Sequence, residues 1–301
     1  MKHDSNLAKK IEAGDFIITA EFLPHASTDT SSAETALDSI SKSLTAVNVA
    51  DNPHGPIMSS LAGAVALSRA GVEPVYQIVT RDRNRIAIQS DLLGAVALGI
   101  RNVLCLSGHH QALTGSPESS NVYDIDSIQL IAVVKQMRDQ GVLLEGTRIE
   151  GAFPVLVGAV ANPFMKPLDL NIIRLAKKVE AGAEFIQTQA VFDTGNFRQW
   201  IEAARKEGIA EKTAIIAGIL PLESAAEAEG LREKYMDISI SDRIIERMKS
   251  AGDEDAQKKE GISICVEAIN EIRGIDGVKG IHILSGGKES LVREIISVSG
   301  L

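Results

Sequence analysis

A glutamate, Glu21, closes an otherwise apolar run, Phe-Ile-Ile-Thr-Ala-Glu-Phe (16–22). Desolvating a carboxyl beside apolar neighbours is costly, so an acid there either faces solvent or does chemistry. Side chains alternate between the two faces of a strand. Ile17, Thr19 and Glu21 therefore share one face, and Phe16, Ile18, Ala20 and Phe22 the other. The polar members collect at the C-terminal end of one face, the end at which a parallel barrel keeps its active site.

Other polar residues fall at the ends of similar runs. Gln77 lies in Val-Tyr-Gln-Ile-Val-Thr, and Gln187 and Gln189 share a face of Ile-Gln-Thr-Gln-Ala-Val. Any one of these amides alone could be a satisfied core group. Together with Glu21 they read as a shared polar pocket. Ser107-Gly108-His109-His110-Gln111 follows another apolar run. Gly108 permits close approach of the backbone to a ligand. Adjacent histidines point apart, which disfavours joint metal ligation, and no metal site is expected. His109 reads as ligand-facing, a hydrogen-bond donor and the pH-sensitive group of the site. Arg-Asp-Arg-Asn-Arg (81–85) reads equally as a solvated loop of Arg–Asp pairs or as a phosphate clamp of forked guanidinium donors. Ser-Gly-Gly-Lys-Glu-Ser (285–290) looks like the phosphate-binding turn many barrels place after their last strand.

Positioning these groups requires a repeating frame. Apolar runs at 16–22, 46–51, 74–80, 102–107, 153–161, 185–191, 214–220 and 280–285 alternate with helical patterns such as 32–44, 59–71, 126–141 and 168–182. Several of the patterns end in glycine, a helix stop. The alternation reads as βαβ units and a parallel sheet. Eight such units in 301 residues predict an α/β fold, a (β/α)8 TIM barrel. Residues 223–273 carry helical stretches that predict extra helices before the eighth strand, with charged 249–261 as a solvated turn. No linker interrupts the chain, so one domain over 1–301 is expected. An open doubly wound sheet is the alternative, but no GxGxxG follows the first strand.

Composition narrows the function classes. The chain is 45% hydrophobic, 24% charged and only 4% aromatic, as an aliphatic parallel sheet requires. A net charge of −9 without a basic cluster argues against nucleic acid and anionic membranes. Cys105 and Cys265 alone build no disulfide framework, zinc motif or iron–sulfur motif. The first residues lack an apolar signal region, and no run approaches the roughly 20 apolar residues of a membrane span. A cytoplasmic location is expected.

Several segments together resemble the methylenetetrahydrofolate reductase family. They are Thr-Ala-Glu-Phe-Leu-Pro (19–24), 98–108, 122–131, 157–163, Leu-Ala-Lys-Lys-Val-Glu-Ala-Gly-Ala-Glu-Phe-Ile-Gln-Thr-Gln-Ala-Val-Phe-Asp (175–193) and 217–222. They span almost the whole chain in the family's order. The resemblance implies a flavin-binding (β/α)8 barrel that reduces 5,10-methylenetetrahydrofolate to 5-methyltetrahydrofolate, or runs the reverse oxidation. This would place it in one-carbon metabolism and methionine biosynthesis. By the same resemblance Glu21 is the general acid that assists opening of the folate's five-membered ring, and burial would raise its pKa for that task. Gln189 binds the pterin, and Lys288 stands where relatives place an arginine against the folate's glutamate tail. Gln77, Ser107, Gly108, His109, Tyr123 and Lys178 are expected around the flavin, with Lys178 toward its phosphates. The resemblance favours FAD over FMN.

The chain also departs from the family. Many relatives have Arg-Gly-Asp where this chain has Ser107-Gly108-His109. A histidine in place of the acid favours an anionic reduced flavin and raises its potential. The chain is similar to short reductases of anaerobic one-carbon pathways, some of which work with an iron–sulfur subunit. Electrons are therefore expected from NAD(P)H or from such a partner, within a homo- or hetero-oligomer. The competing readings are an accessory barrel subunit without turnover and a pterin-binding methyltransferase barrel.

Overall fold

The computed structural model describes residues 3–31, 43–235 and 238–301. The helix expected at 32–44 lies almost entirely outside them. Every expected strand forms: β1 (Ile17–Phe22), β2 (Ala46–Val49), β3 (Pro74–Val79), β4 (Asn102–Leu106), β5 (Leu156–Ala161), β6 (Phe185–Ala190), β7 (Ala214–Ile219) and β8 (Val278–Ile283). The fifth begins later than expected, after Pro154, which has no N–H to give a ladder. The strands pair in sequence order, all parallel, and β8 closes onto β1. The doubly wound alternative is thereby excluded.

Helices cover the barrel's outside. Those described are α1 (Asn6–Ala13), α2 (Ser60–Arg69), α3 (Arg85–Ala97), α4 (Ser127–Gln140), α5 (Leu168–Ala181), α6 (Thr194–Lys206), α7 (Ala225–Lys234), α8 (Asp242–Ser250), α9 (Glu254–Arg273) and α10 (Glu289–Ser299). Polar N-caps start most of them, including Ser59, Asn84, Asp193 and Ser224, and Asp126 forms a capping box with Gln129. The extra helices before the eighth strand are α7, α8 and α9. They share a small core of their own, in which Leu222, Ala228, Ile245, Met248 and Ile264 are buried. The solvated turn expected at 249–261 is shorter than predicted. Asp253 caps α9, and its charged first turns are helical because their apolar partners, Ile262 and Cys265, recur at helical spacing further along.

The strands divide two cores. Ile18, Ala20 and Phe22 pack outward with the helices, while Ile17, Val75, Leu104, Leu156, Phe185 and Ile216 fill the lower interior. Gly158 makes room there: a Cβ on it would lie 2.1 Å from the Phe185 ring. Helix α1, which the sequence reading did not assign, plugs the base. Its Leu7 and Ala8 join the interior core, and Glu73 accepts from the Leu7 amide at 2.8 Å.

Candidate active site

Strand alternation puts Thr19 and Glu21 inside the barrel, as the sequence predicts. Above the apolar base the interior turns polar. Thr19, Asn48, Gln187 and His282 are buried side by side, and the C-terminal strand ends above them open into a cavity of about 540 Å³. Glu21, Gln77, Gln187, Gln189, Leu106 and Val160 are among its walls. Its size is typical of small-molecule sites. Helix α7 contributes Glu227 and Leu231, followed by Tyr235, so the extra helices form part of the mouth.

Glu21 is the most perturbed acid of this site. Burial raises its carboxyl to about 7; the negative charge of Glu289 adds to the rise, and the Gln77 amide opposes it. Gln77 Nε2 donates to Glu21 Oε2 at 3.4 Å, and the Ser285 hydroxyl donates to the Glu21 carbonyl at 2.7 Å. The second bond ties the end of β1 to the turn after β8. A carboxyl so held carries its proton in a large share of molecules at neutral pH and can deliver it to a bound ligand.

The expected site residues divide in their placement. Gln189 lines the cavity beside a register shift between β6 and β7. Ser107, Gly108 and His109 line it from the turn after β4. Gly108 has φ +81°, and a Cβ there would meet Val79 and Arg81 at 3.2–3.3 Å. Glycine is thus required by the turn's own backbone and packing. The two histidines do point apart. His109 faces the cavity, while His110 bonds the Ala112 amide and the Asn121 side chain. Tyr123 stands outside the cavity wall, and its hydroxyl donates to the Gly108 carbonyl at 3.1 Å. Lys178 Nζ donates to the Val160 carbonyl at 2.5 Å, and burial pushes its pKa down. Lys288 lines the cavity but is paired with Glu227 and, at 3.3 Å, with Glu223.

The arginine segment after β3 forms the Arg–Asp pairs of the first reading, but it is only partly solvated. Arg81 is buried and forks onto Asp82 at 2.7 and 2.8 Å. Arg83 pairs with buried Asp51 at 2.7 Å and with Asp91 at 3.0 Å, and Arg85 pairs with Asp124 at 2.8 Å. Each guanidinium already holds a carboxylate, so the segment is a set of structural ion pairs.

Some cavity residues escaped sequence reading. His282 sits in β8, where burial pushes its pKa down to about 3. His54 and Tyr235 meet at the mouth, with Tyr235 Oη 3.2 Å from His54 Nδ1 and the His109 ring centroid 5.5 Å from that of Tyr235. Burial, and then the charges of Lys234 and His109, hold the His54 pKa down. The one available signal was position: His54 follows β2, and His282 alternates inward on β8.

A second cavity, of about 310 Å³, adjoins the first, and Ser107, Ser127 and Lys178 line both. Lys166 and Arg174 bring further positive charge to it. The residues therefore fit a cofactor with a flat ring and an anionic arm: the main cavity has apolar and amide walls, and its neighbour is cationic. Among the described residues no group of three or more His, Cys, Asp or Glu side chains is placed to hold a metal ion. None of the described helices is long and apolar enough to cross a membrane.

Fold and site define a (β/α)8 barrel with a ligand cavity at its C-terminal mouth, built around a buried carboxyl whose pKa is raised to about 7. Comparison with known proteins makes the class specific. The chain belongs to the methylenetetrahydrofolate reductase family, whose model matches residues 6–300. It is 24% identical over 238 residues to the 5,10-methylenetetrahydrofolate reductase of Salmonella typhimurium, covering 77% of this chain and 72% of that one. It is 23% identical over 248 residues to a probable methylenetetrahydrofolate reductase (NADPH) of Caenorhabditis elegans, covering 81% of this chain but 34% of the relative. The chain thus spans about a third of that relative's length. Among solved structures, a Clostridium thermocellum protein that binds two copies of 5-methyl-5,6,7,8-tetrahydrofolic acid shares the fold, with a TM-score of 0.66 at 15% identity over 98% of this chain and 100% of that one.

Proposed function

We propose that this barrel is a flavin-dependent enzyme that interconverts 5,10-methylenetetrahydrofolate and 5-methyltetrahydrofolate. The observation that carries the reading is Glu21. Its carboxyl, raised to about 7, stands over a polar floor in the cavity of a chain that belongs to this family. The folate bound by the Clostridium thermocellum protein supports the ligand class.

Each role follows from chemistry available at the site. Glu21, protonated, delivers its proton to the folate's five-membered ring and opens it. Gln77 steadies the carboxyl without taking its proton. Gln189, an amide that both donates and accepts, suits the edge of a pterin. Lys288 reaches the glutamate tail by exchanging one of its two glutamate partners for the tail's carboxylate. Ser107, Gly108 and His109 form the turn against the flavin ring, Tyr123 braces that turn, and Lys178 with Arg174 meets the cofactor's phosphates. The second, cationic cavity favours FAD, whose dinucleotide arm is longer than that of FMN. A bound flavin supplies the hydride. The barrel acts as one domain over 1–301, in the cytoplasm, within an oligomer, and takes electrons from NAD(P)H or a redox partner subunit.

The test is spectroscopic. Purified protein is expected to show flavin absorbance, to bleach anaerobically on addition of 5-methyltetrahydrofolate, and to recolour with an acceptor. A protein that binds the folate yet carries no flavin would instead indicate the methyltransferase reading. A flavoprotein unchanged by the folate would indicate an accessory subunit.

A further inference from the structure

The polar layer beneath Glu21 has no part in the chemistry above. Thr19, Asn48, Gln187 and His282 come from four different strands and are each at most 2% exposed. Side chains of this kind are costly in a barrel interior unless each finds partners. Asn48 Nδ2 donates to Gln187 Oε1 at 2.6 Å, and Gln187 Nε2 donates back to Asn48 Oδ1 at 3.1 Å and on to Thr19 Oγ1 at 3.3 Å. Thr19 Oγ1 is thus an acceptor toward Gln187 and has one proton to give. That proton has two acceptors in reach, His282 Nδ1 at 2.9 Å and the Ile281 carbonyl at 3.4 Å, and the shorter contact favours the ring.

With the Thr19 hydroxyl donating to the ring, this chain of bonds sets the state of the imidazole. Nδ1 accepts, the ring is neutral in its buried position, and its single proton therefore sits on Nε2. Nε2 has no hydrogen-bond partner among the described residues, it is not sealed from the cavity, and the ring lines the cavity wall. The layer ends in one unspent donor with a fixed direction. A free imidazole would present a lone pair in half of its arrangements and repel the same ligand atom.

We propose that His282 is a ligand-binding residue, whose Nε2–H is locked in place by Thr19, Gln187 and Asn48 and donates to a hydrogen-bond acceptor of the pterin ring at the cavity floor. This assignment rests on the folate reading. It makes Thr19, Gln187 and Asn48 positioning residues, which act through the histidine without touching the ligand.

The experiment uses the full chain and 5-methyltetrahydrofolate as probe. His282→Gln puts an amide N–H near the position of Nε2, whereas His282→Asn puts one near Nδ1. Dissociation constants measured by calorimetric titration are expected to rise roughly tenfold for His282→Asn, the loss of one buried hydrogen bond, and to change far less for His282→Gln. Long-range nitrogen–proton NMR of the unliganded protein reads the tautomer directly. It is expected to show the Nε2-protonated form in the wild type and a mixture in Thr19→Val. Equal affinity in the two His282 variants, or an Nδ1-protonated ring in the wild type, would overturn the assignment. If the histidine variants do not fold, the NMR tautomers of the wild type and Thr19→Val decide it alone. A wild type with the expected tautomer that does not bind the folate overturns the proposed function instead.

Discussion

Gln77 reaches from β3 to β1 and donates its Nε2 proton to Glu21 Oε2 at 3.4 Å. The bond is long, so it offsets only part of the rise caused by burial, and the carboxyl settles near 7. A donor to a carboxylate favours the ionised form. Gln77→Met removes that donor and so raises the Glu21 pKa further. Turnover that needs the protonated acid falls as pH rises through this pKa. The pH–rate profile of Gln77→Met is therefore expected to hold its activity to higher pH than the wild type. A shift to lower pH would contradict the role given to Gln77.

Glu21→Gln keeps the shape of the side chain but has no acidic proton. Loss of a general acid costs about 10²–10⁴ in rate. The variant is expected to bind flavin and accept electrons normally in stopped-flow reduction, yet to fail in folate turnover by that factor. Near-normal turnover would remove Glu21 from the mechanism.

Lys288 is ion-paired to Glu223 and Glu227 with side chains that are partly exposed, so the pairs contribute little to stability, roughly 0–1 kcal/mol. Lys288→Ala is expected to leave the melting temperature almost unchanged. Its effect should fall on KM for folate, raised several-fold with kcat retained, because the tail is remote from the reacting carbon. A fall in kcat at unchanged KM would place the lysine elsewhere in the reaction.

At the base of the barrel Glu184 bridges His3, at 2.9 Å, and Arg138, at 2.6 Å. Burial pulls its pKa up, but the His3 hydrogen bond, the charges of Arg138 and His3, and the Val157 amide outweigh burial and hold it at about 2. A depressed carboxyl stabilises the fold above its unfolded pKa, and that stabilisation drains away as pH falls toward the folded value. Glu184→Gln is expected to melt earlier than the wild type at pH 7, with the gap closing between about pH 4.5 and pH 2. A gap independent of pH across that window would show that packing, not ionisation, is what the substitution changes.

Gly158→Ala places a methyl group 2.1 Å from the Phe185 ring, with the ring enclosed by the interior core. Overpacking of this kind costs about 1–3 kcal/mol. Urea denaturation is expected to show a lower midpoint with an unchanged slope.

The frame of the site was open to reading from the chain. The apolar runs and glycine stops marked every strand, and alternation alone aimed Glu21 inward. Helix α1 was missed because it is short and caps the barrel by position, with an amphipathic stripe of only a few residues. Gln77, Gln189 and His109 were found as polar residues at strand ends, and they do converge on one cavity. Arg81 pairs with its sequence neighbour Asp82, but the partners of Arg83 and Arg85, which are Asp51, Asp91 and Asp124, are brought up by other loops and helices and could not be read from the segment.

What the sequence determined by itself is local and periodic: which residues make strands, which face each side chain takes, and hence that an acid stands at a barrel mouth. Periodicity carries this because it depends only on backbone geometry. Which groups neutralise, orient or relay to one another was decided only by the closed barrel. Thr19 and His282 are 263 positions apart, and Asn48 and Gln187 139 apart, yet each pair meets within 3 Å. Closure of β8 onto β1 makes the first contact, and the second spans the barrel interior. Hydrogen bonds formed across such distances follow from the fold's topology, and no spacing along the chain encodes them.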